Sequence, residues 1–239
     1  MPIKAVLFDM FDTLMLIEKN HEVYSPALMR MYAYLSNHGI EVPFEKFNNA
    51  YFKARDEIYC KADLNFEEPH FNVRVSEALK ILGYDHDISN PIVAAATIEF
   101  CEEFMTYVSI DENAKTILSM LHGKYKLGII SNFAIPECVH KLLKADDLEE
   151  LFDIVIISAT VNKRKPSPEI FQHALKALGV SASETVFVGD TIDADIEGPK
   201  AIGMKAVYIE RREQKASKKF CPDQTIKALS DLPLALESC

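Results

Sequence analysis

After Asp111, four short apolar runs, KLGIIS (126–131), IVIIS (154–158), TVFVG (185–189) and KAVYI (205–209), alternate with stretches of helical periodicity near 112–123, 135–144, 168–178 and 194–202. No other feature restricts the fold so strongly. Apolar runs without polar alternation are strands buried on both faces, and a helix of about ten residues between successive strands is the crossover that parallel pairing requires. Residues 3–8 (IKAVLF) make one more such run, ending at Asp9. The expected fold is α/β: a doubly wound, mostly parallel sheet forming a Rossmann-like core.

Between the first run and the others the pattern changes. From about Tyr24 to Tyr107 helical spacing prevails. Leu28, Met31, Tyr32 and Leu35 share a stripe that Asn37-His38-Gly39 closes, and Pro43 opens a second helix through Phe47, Tyr51 and Ala54. A third, near Val75, Leu79 and Leu82, stops at Gly83, and a fourth covers roughly 91–104. The expected organisation is a core of residues 1–16 and 110–239 interrupted by an inserted all-helical cap domain, 17–109, with hinges near 15–22 and 106–112. The stripe Met29, Met31, Tyr32, Tyr34 reads as cap core or a dimer face.

Composition narrows the partners. The chain has 239 residues, 49% hydrophobic and 26% charged, enough for a sizeable core, and its net charge of −10 repels a phosphate backbone, so no nucleic-acid partner is expected. No apolar window is long enough to cross a membrane. Met1-Pro2-Ile3-Lys4 leads into a strand without a signal-peptide layout, and five scattered cysteines form no C-x-x-C pair. Cytoplasmic location is the expectation.

Four strand ends carry polar residues: Asp9, with Asp12 and Thr13 beyond it; Ser131 and Asn132; Asp190 and Thr191, with Asp193 and Asp195 following; and Lys165, which opens the 168–178 helix. Ligands of open α/β sheets bind outside the carboxyl ends of the strands, so these positions form one candidate site. A carboxylate can attack phosphorus, and Mg2+ with a lysine lowers the repulsion between the two anions. Asp9, Asp190 and Asp195 supply the oxygen ligands that Mg2+ takes. Ser131 and the backbone N–H groups after it can hold phosphoryl oxygens. Taken singly, each element has a plainer use: turn former, helix cap or solvated charge. Their joint order along the chain favours the functional reading.

These residues carry a family resemblance. VLFDMFDTL (6–14), IISN (129–132), KPSPEIF (165–171) and VGDTIDADIEGPKAIGM (188–204) resemble, in order, the four motifs of the haloacid dehalogenase superfamily of hydrolases. The insert lies where that family places a helical cap. The resemblance implies that Asp9 is nucleophile and metal ligand, that Ser131 and Asn132 lie at the phosphoryl group, and that Lys165 pairs with it and with Asp9. It further implies that Asp190 binds Mg2+ with Asp195 supporting, that the backbone carbonyl of Phe11 is a ligand, and that Thr13 steadies the first loop.

One departure stands out. The family's phosphatases carry a second aspartate two residues after the nucleophile as general acid and base, and here that position is Phe11. Asp12, one residue on, serves only if the loop curls. The expected function is a Mg2+-dependent phosphatase acting on a small phosphorylated metabolite through an aspartyl-phosphate. The alternatives are a metal-independent 2-haloacid dehalogenase, which an aromatic residue at +2 also suits, and a catalytically weak binding or regulatory protein of the same fold. Cap groups that face a substrate are sought among His21, Tyr24, Arg55, Lys61, His70 and Arg74.

Overall fold

The computed structural model describes residues 2–18, 23–212 and 219–239. Its strands are β1 (Ala5–Phe8), β2 (Met15–Ile17), β3 (Val108–Ile110), β4 (Lys126–Ser131), β5 (Ile154–Ile157), β6 (Thr185–Gly189), β7 (Lys205–Ile209) and β8 (Gln224–Ile226). The α-helices are α1 (Tyr24–Asn37), α2 (Phe44–Ala62), α3 (Phe71–Ile81), α4 (Pro91–Met105), α5 (Ala114–Leu121), α6 (Pro136–Ala145), α7 (Ser158–Val161), α8 (Pro168–Leu178), α9 (Gly198–Ala201) and α10 (Leu232–Glu237).

Six strands form one sheet in the order β5-β4-β1-β6-β7-β8, every neighbouring pair parallel. The first strand lies inside the sheet, and strands on its two sides are reached by connections in opposite directions. That reversal, between β1 and β6, opens a crevice at their carboxyl ends. Side chains of β1 alternate between two buried layers. Val6 and Phe8 join Leu118, Val139, Leu143 and Leu232 on one face, while Ala5 and Leu7 join Phe171, Ala174 and Phe187 on the other. All four β1 residues are fully buried, which accounts for the unbroken apolar run in the sequence.

The second sheet is an antiparallel pair, β2 with β3, in the register Met15↔Ile110 and Ile17↔Val108. The chain enters the segment holding α1–α4 through β2 and returns through β3, at the two places read as hinges from sequence; 19–22, including His21, lie outside the described residues. Asn90 caps α4 by accepting from the Ile92 N–H at 2.9 Å, with Pro91 at the first helical position. The methionine–tyrosine stripe of α1 divides. Met31 is buried and Tyr32 packs on Phe44 and Phe47, whereas Met29 is exposed and Tyr34 stacks on His38.

Some elements differ from the sequence reading. The helix expected over 194–202 is a wide π-helical turn, Ile192–Glu197, followed by the short α9. Asp195 and Thr191 bond each other twice there, Asp195 N–H to the Thr191 carbonyl at 2.7 Å and Thr191 N–H to Asp195 Oδ2 at 2.9 Å. Pro199, lacking an N–H, would break a continuous helix over 194–202 in its interior, and sits instead in the first turn of α9, where no N–H is needed. The strand expected to reach Ser158 ends at Ile157, and Ser158 begins α7. β2, β3, β8 and α10 were not expected.

Candidate active site

Asp9 follows β1 directly, and its N–H bonds the Val188 carbonyl at 2.8 Å, so the sheet ladder itself sets its position. The chain then turns sharply. The Met10 carbonyl accepts from the N–H groups of Leu14 and Met15, both at 2.9 Å, and Asp12 takes a left-handed backbone, φ +59°. Aspartate is among the few side chains that tolerate this region. The loop does curl, but the Asp12 carboxylate is engaged locally. Oδ1 accepts from the Ile17 N–H at 3.3 Å, and Oδ2 faces the Arg212 guanidinium at 3.6 Å. Phe11 packs its ring against Phe133 and Phe104, with centroids 4.7 and 5.6 Å away.

Lys165 reaches the cluster from the loop before α8. Its Nζ lies 2.6 Å from Asp9 Oδ1, 2.8 Å from Asp195 Oδ1 and 5.0 Å from the centre of the Phe187 ring. Asn132 fixes the backbone of this lysine, accepting the Lys165 N–H at 2.8 Å and donating to its carbonyl at 2.9 Å. The side chain expected beside a phosphoryl group is therefore committed to placing Lys165. Asp190 follows β6, accepts from the Thr191 hydroxyl at 3.1 Å and meets Arg212 Nη2 at 3.1 Å. Asp195 leans on Gly189: a Cβ there would sit 2.5 Å from the Asp195 side chain. Gly189→Ala is expected to displace Asp195, backbone included because its own Cβ is among the atoms met, and so to destabilise the fold by about 1–3 kcal/mol, read by urea unfolding.

One oxygen each of Asp9, Asp190 and Asp195 lie within 4.8 Å of one another, and all three residues are buried. Burial, more than any neighbour, pushes Asp9 up to about 7 and Asp190 to about 6, with Asp195 adding repulsion to both. Lys165 is held protonated by Asp195 and Asp9 against the opposing effect of its own burial. Three carboxylates around one buried ammonium leave a surplus of negative charge, and Arg212, half exposed, offsets it at the rim. This donor set fits a small divalent cation with oxygen preference. Both Asp195 oxygens are already engaged, by Lys165 and by the Thr191 N–H, so Asp195 suits a place behind Asp9 and Asp190. The buried hydroxyls of Ser131 and Thr13 have no hydrogen-bond partner among the described residues, as befits groups that meet a ligand.

The raised carboxylates give a pH signature in metal-free protein. The folded state keeps protons that the unfolded chain releases near 3.8, so stability falls as pH climbs from that value to about 7. In metal-free buffer, Tm is expected to drop between about pH 4 and about pH 7 and to level off above. Asp9→Asn should shrink the drop; an equal drop would place its origin elsewhere.

Several supporting residues carried no clear signal in the sequence. Arg211, just past β7, donates to the carbonyls of Asp12 and Thr13 at 3.2 and 3.1 Å and pairs with Asp111 at 2.6 Å. The hint was a basic pair at the same sheet edge. Ser158 accepts the Phe133 N–H at 2.9 Å and so shapes the loop after Ser131. The helical segment approaches this edge: Phe71 N–H bonds the Ala134 carbonyl at 2.9 Å, and Arg164 N–H bonds the Phe66 carbonyl at 2.8 Å. Of the groups singled out from this segment in the sequence, Tyr24 and Arg74 line a cavity there. His70 pairs with Glu137, Arg55 with its neighbour Asp56, and Lys61 lies on a separate groove between α2 and α3.

The chain belongs to the haloacid dehalogenase-like hydrolase family, whose model matches residues 3–203. It is 31% identical over 209 residues to a glyceraldehyde 3-phosphate phosphatase of Pyrococcus furiosus, covering 87% of this chain and 81% of the relative. It is 27% identical to the N-acylneuraminate-9-phosphatase of Homo sapiens over 202 residues, 79% of this chain and 81% of the relative. Among solved structures it resembles a 2-haloacid dehalogenase from Pseudomonas syringae pv. Tomato, with TM-score 0.77, 25% identity and 98% of each chain covered. It also resembles a phosphatase of the same family from Thermococcus onnurineus, with TM-score 0.66, 26% identity and 99% of each covered. The family match and the phosphatase-named relatives together support a phosphoric monoester hydrolase. No helix among the described residues is long and apolar enough to cross a membrane.

Proposed function

We propose that the chain is a Mg2+-dependent phosphatase that hydrolyses a small phosphorylated metabolite through an aspartyl-phosphate formed on Asp9. The observation that carries this reading is the buried set Asp9, Asp190 and Asp195 around Lys165, whose surplus negative charge suits a divalent cation. One Asp9 oxygen forms the bond to phosphorus while the ester oxygen departs with the electron pair of its P–O bond. Lys165 holds the other oxygen, and the hydroxyls of Ser131 and Thr13 donate to the phosphoryl oxygens. Water then cleaves the aspartyl-phosphate, restoring the carboxylate and releasing phosphate. Asp9, Asp190 and the backbone carbonyl of Phe11 would hold Mg2+, which reduces repulsion between carboxylate and phosphoryl group.

In this reading residues 1–16 and 110–239 are the catalytic core, and 17–109 a cap that excludes water and contacts the leaving group. Asp12 is assigned to the turn rather than to proton transfer, a change from the sequence reading supported by its bonds to Ile17 and Arg212. Five free cysteines suit a cytoplasmic enzyme.

A second reading, metal-independent dehalogenation, is favoured by Phe11 and by the likeness to the Pseudomonas enzyme. Against it, two further buried carboxylates beside a carboxylate nucleophile are costly without a cation. Incubation with p-nitrophenyl phosphate, with and without Mg2+, and separately with L-2-chloropropionate decides between them. Phosphate release that needs Mg2+ is expected; chloride release without metal would overturn the phosphatase reading.

A further inference from the structure

We infer that the leaving group of the substrate is an uncharged, flat aromatic alcohol of phenol-like acidity, so that the preferred substrates are aryl phosphates. The inference rests on the phosphatase reading. It starts from a cavity of about 230 Å3 between the helical segment and the core, lined on the core side by residues that include Asn132 and Phe133, next in the chain to Ser131. Its walls are aromatic: Tyr24, Phe71, Phe100 and Phe104. An apolar cavity of about 150 Å3 already accommodates a benzene ring. Tyr24 and Phe71 both meet Phe100, at 5.3 and 4.6 Å between centroids, and Phe104 meets Phe133 at 5.3 Å, so the walls offer ring faces and edges throughout.

The polar end of the cavity does not call for charge. Arg74 lies there, but Glu68 pairs with it at 3.2 Å, both side chains being almost fully buried, and the Arg74 guanidinium lies over the rings of Tyr59 and Phe71. The pair is neutral as it stands, so a carboxylate or second phosphate on the leaving group would find no unpaired cation there and would meet the Glu68 carboxylate as well as Arg74. A neutral ring meets no such penalty.

Phe11 occupies the position of the usual proton donor, and its ring packs on Phe104 and Phe133, two walls of this cavity. The side chain that would protonate a departing alkoxide is instead part of the apolar surround, and Asp12 is bound elsewhere. Without general acid assistance the ester oxygen leaves as an anion. A phenol, with pKa about 10, bears that charge far better than an aliphatic alcohol. Loss of such assistance costs roughly 10²–10⁴-fold for a poor leaving group.

The test compares phenyl, benzyl and methyl phosphate with the full-length protein in Mg2+. Benzyl phosphate keeps the ring and lacks the acidity. Similar KM for phenyl and benzyl, a higher KM for methyl, and a kcat at least about 10²-fold greater for phenyl than for benzyl are expected. Phe11→Asp should raise kcat on benzyl phosphate relative to phenyl phosphate at least about tenfold, whatever it does to both in absolute terms; should that variant not fold, the wild-type comparison stands alone. Benzyl turned over as fast as phenyl, or methyl bound as well as both, would overturn the inference and leave the phosphatase reading intact. If none of these esters, nor a panel of phosphorylated metabolites, releases phosphate with Mg2+, both readings fall.

Discussion

Asp9→Asn is expected to lower kcat toward p-nitrophenyl phosphate by at least about 10⁴-fold at saturating Mg2+, on the scale seen when a covalent nucleophile is removed. The amide keeps the shape of the carboxylate and can still accept from Lys165 at the Oδ1 position. It cannot form the bond to phosphorus. The fold should persist, because the substitution deletes one charge from a group that burial already opposes. Tm is expected to hold or rise in metal-free buffer, and circular dichroism to stay unchanged. Activity within tenfold of wild type would remove Asp9 from the centre of the chemistry.

Lys165→Met should have the largest effect on stability. Lys165 is 3% exposed, and its ammonium lies between Asp9 and Asp195. An apolar chain of similar length fills its space, so packing is kept while the counter-charge is lost. Removing one partner of a buried ion pair costs about 3–5 kcal/mol, because the other charge is left uncompensated. Here Asp195 loses its counter-charge, while Asp9, which burial already pushes up to about 7, takes up a proton more readily once the lysine is gone. Urea unfolding should report that loss without metal, and a smaller one in Mg2+, since a divalent cation supplies part of the missing charge. Turnover should be lost in either buffer. Lys165→Arg returns a charge but not a compact ammonium, and should recover stability better than activity. Equal stability of Lys165→Met and wild type without metal would mean that the carboxylates are protonated there and need no lysine.

The strand ends of this site were legible in the sequence for a definite reason. A strand buried on both faces must be apolar throughout, so the first polar residue after each run marks the sheet edge, as at Asp9, Ser131 and Asp190. Lys165 was legible through its place before Pro166 and a helix start. What the neighbouring side chains do was not legible. Asn132 reads equally well as a phosphate ligand or a cap, and its two bonds to the Lys165 backbone depend on a loop 33 residues away. The left-handed turn at Asp12 breaks the alternation that would predict its direction. Arg211 and Asp111, 100 residues apart, meet on the far side of that turn. The three-residue strands β2 and β3 carry too few residues for a periodicity, and their pairing is set by tertiary context. Tyr24 and Arg74 could be nominated for the cavity, but not Phe104 or Glu68, since helix pattern shows that a face is buried without showing against what.

The β2–β3 ribbon has a consequence for how such a chain tolerates change. Ile17 sits opposite Val108, and the Glu18 N–H bonds the Tyr107 carbonyl at 3.0 Å, so the long excursion between them leaves and rejoins at one point. The entropy of bringing its ends together grows only with the logarithm of its length, about 0.6 kcal/mol per doubling. Lengthening, shortening or exchanging the excursion therefore barely disturbs the register that fixes Asp9. The ribbon works as a socket: the Asp9 carboxylate can stay in place while whatever is plugged in beyond the ribbon is replaced.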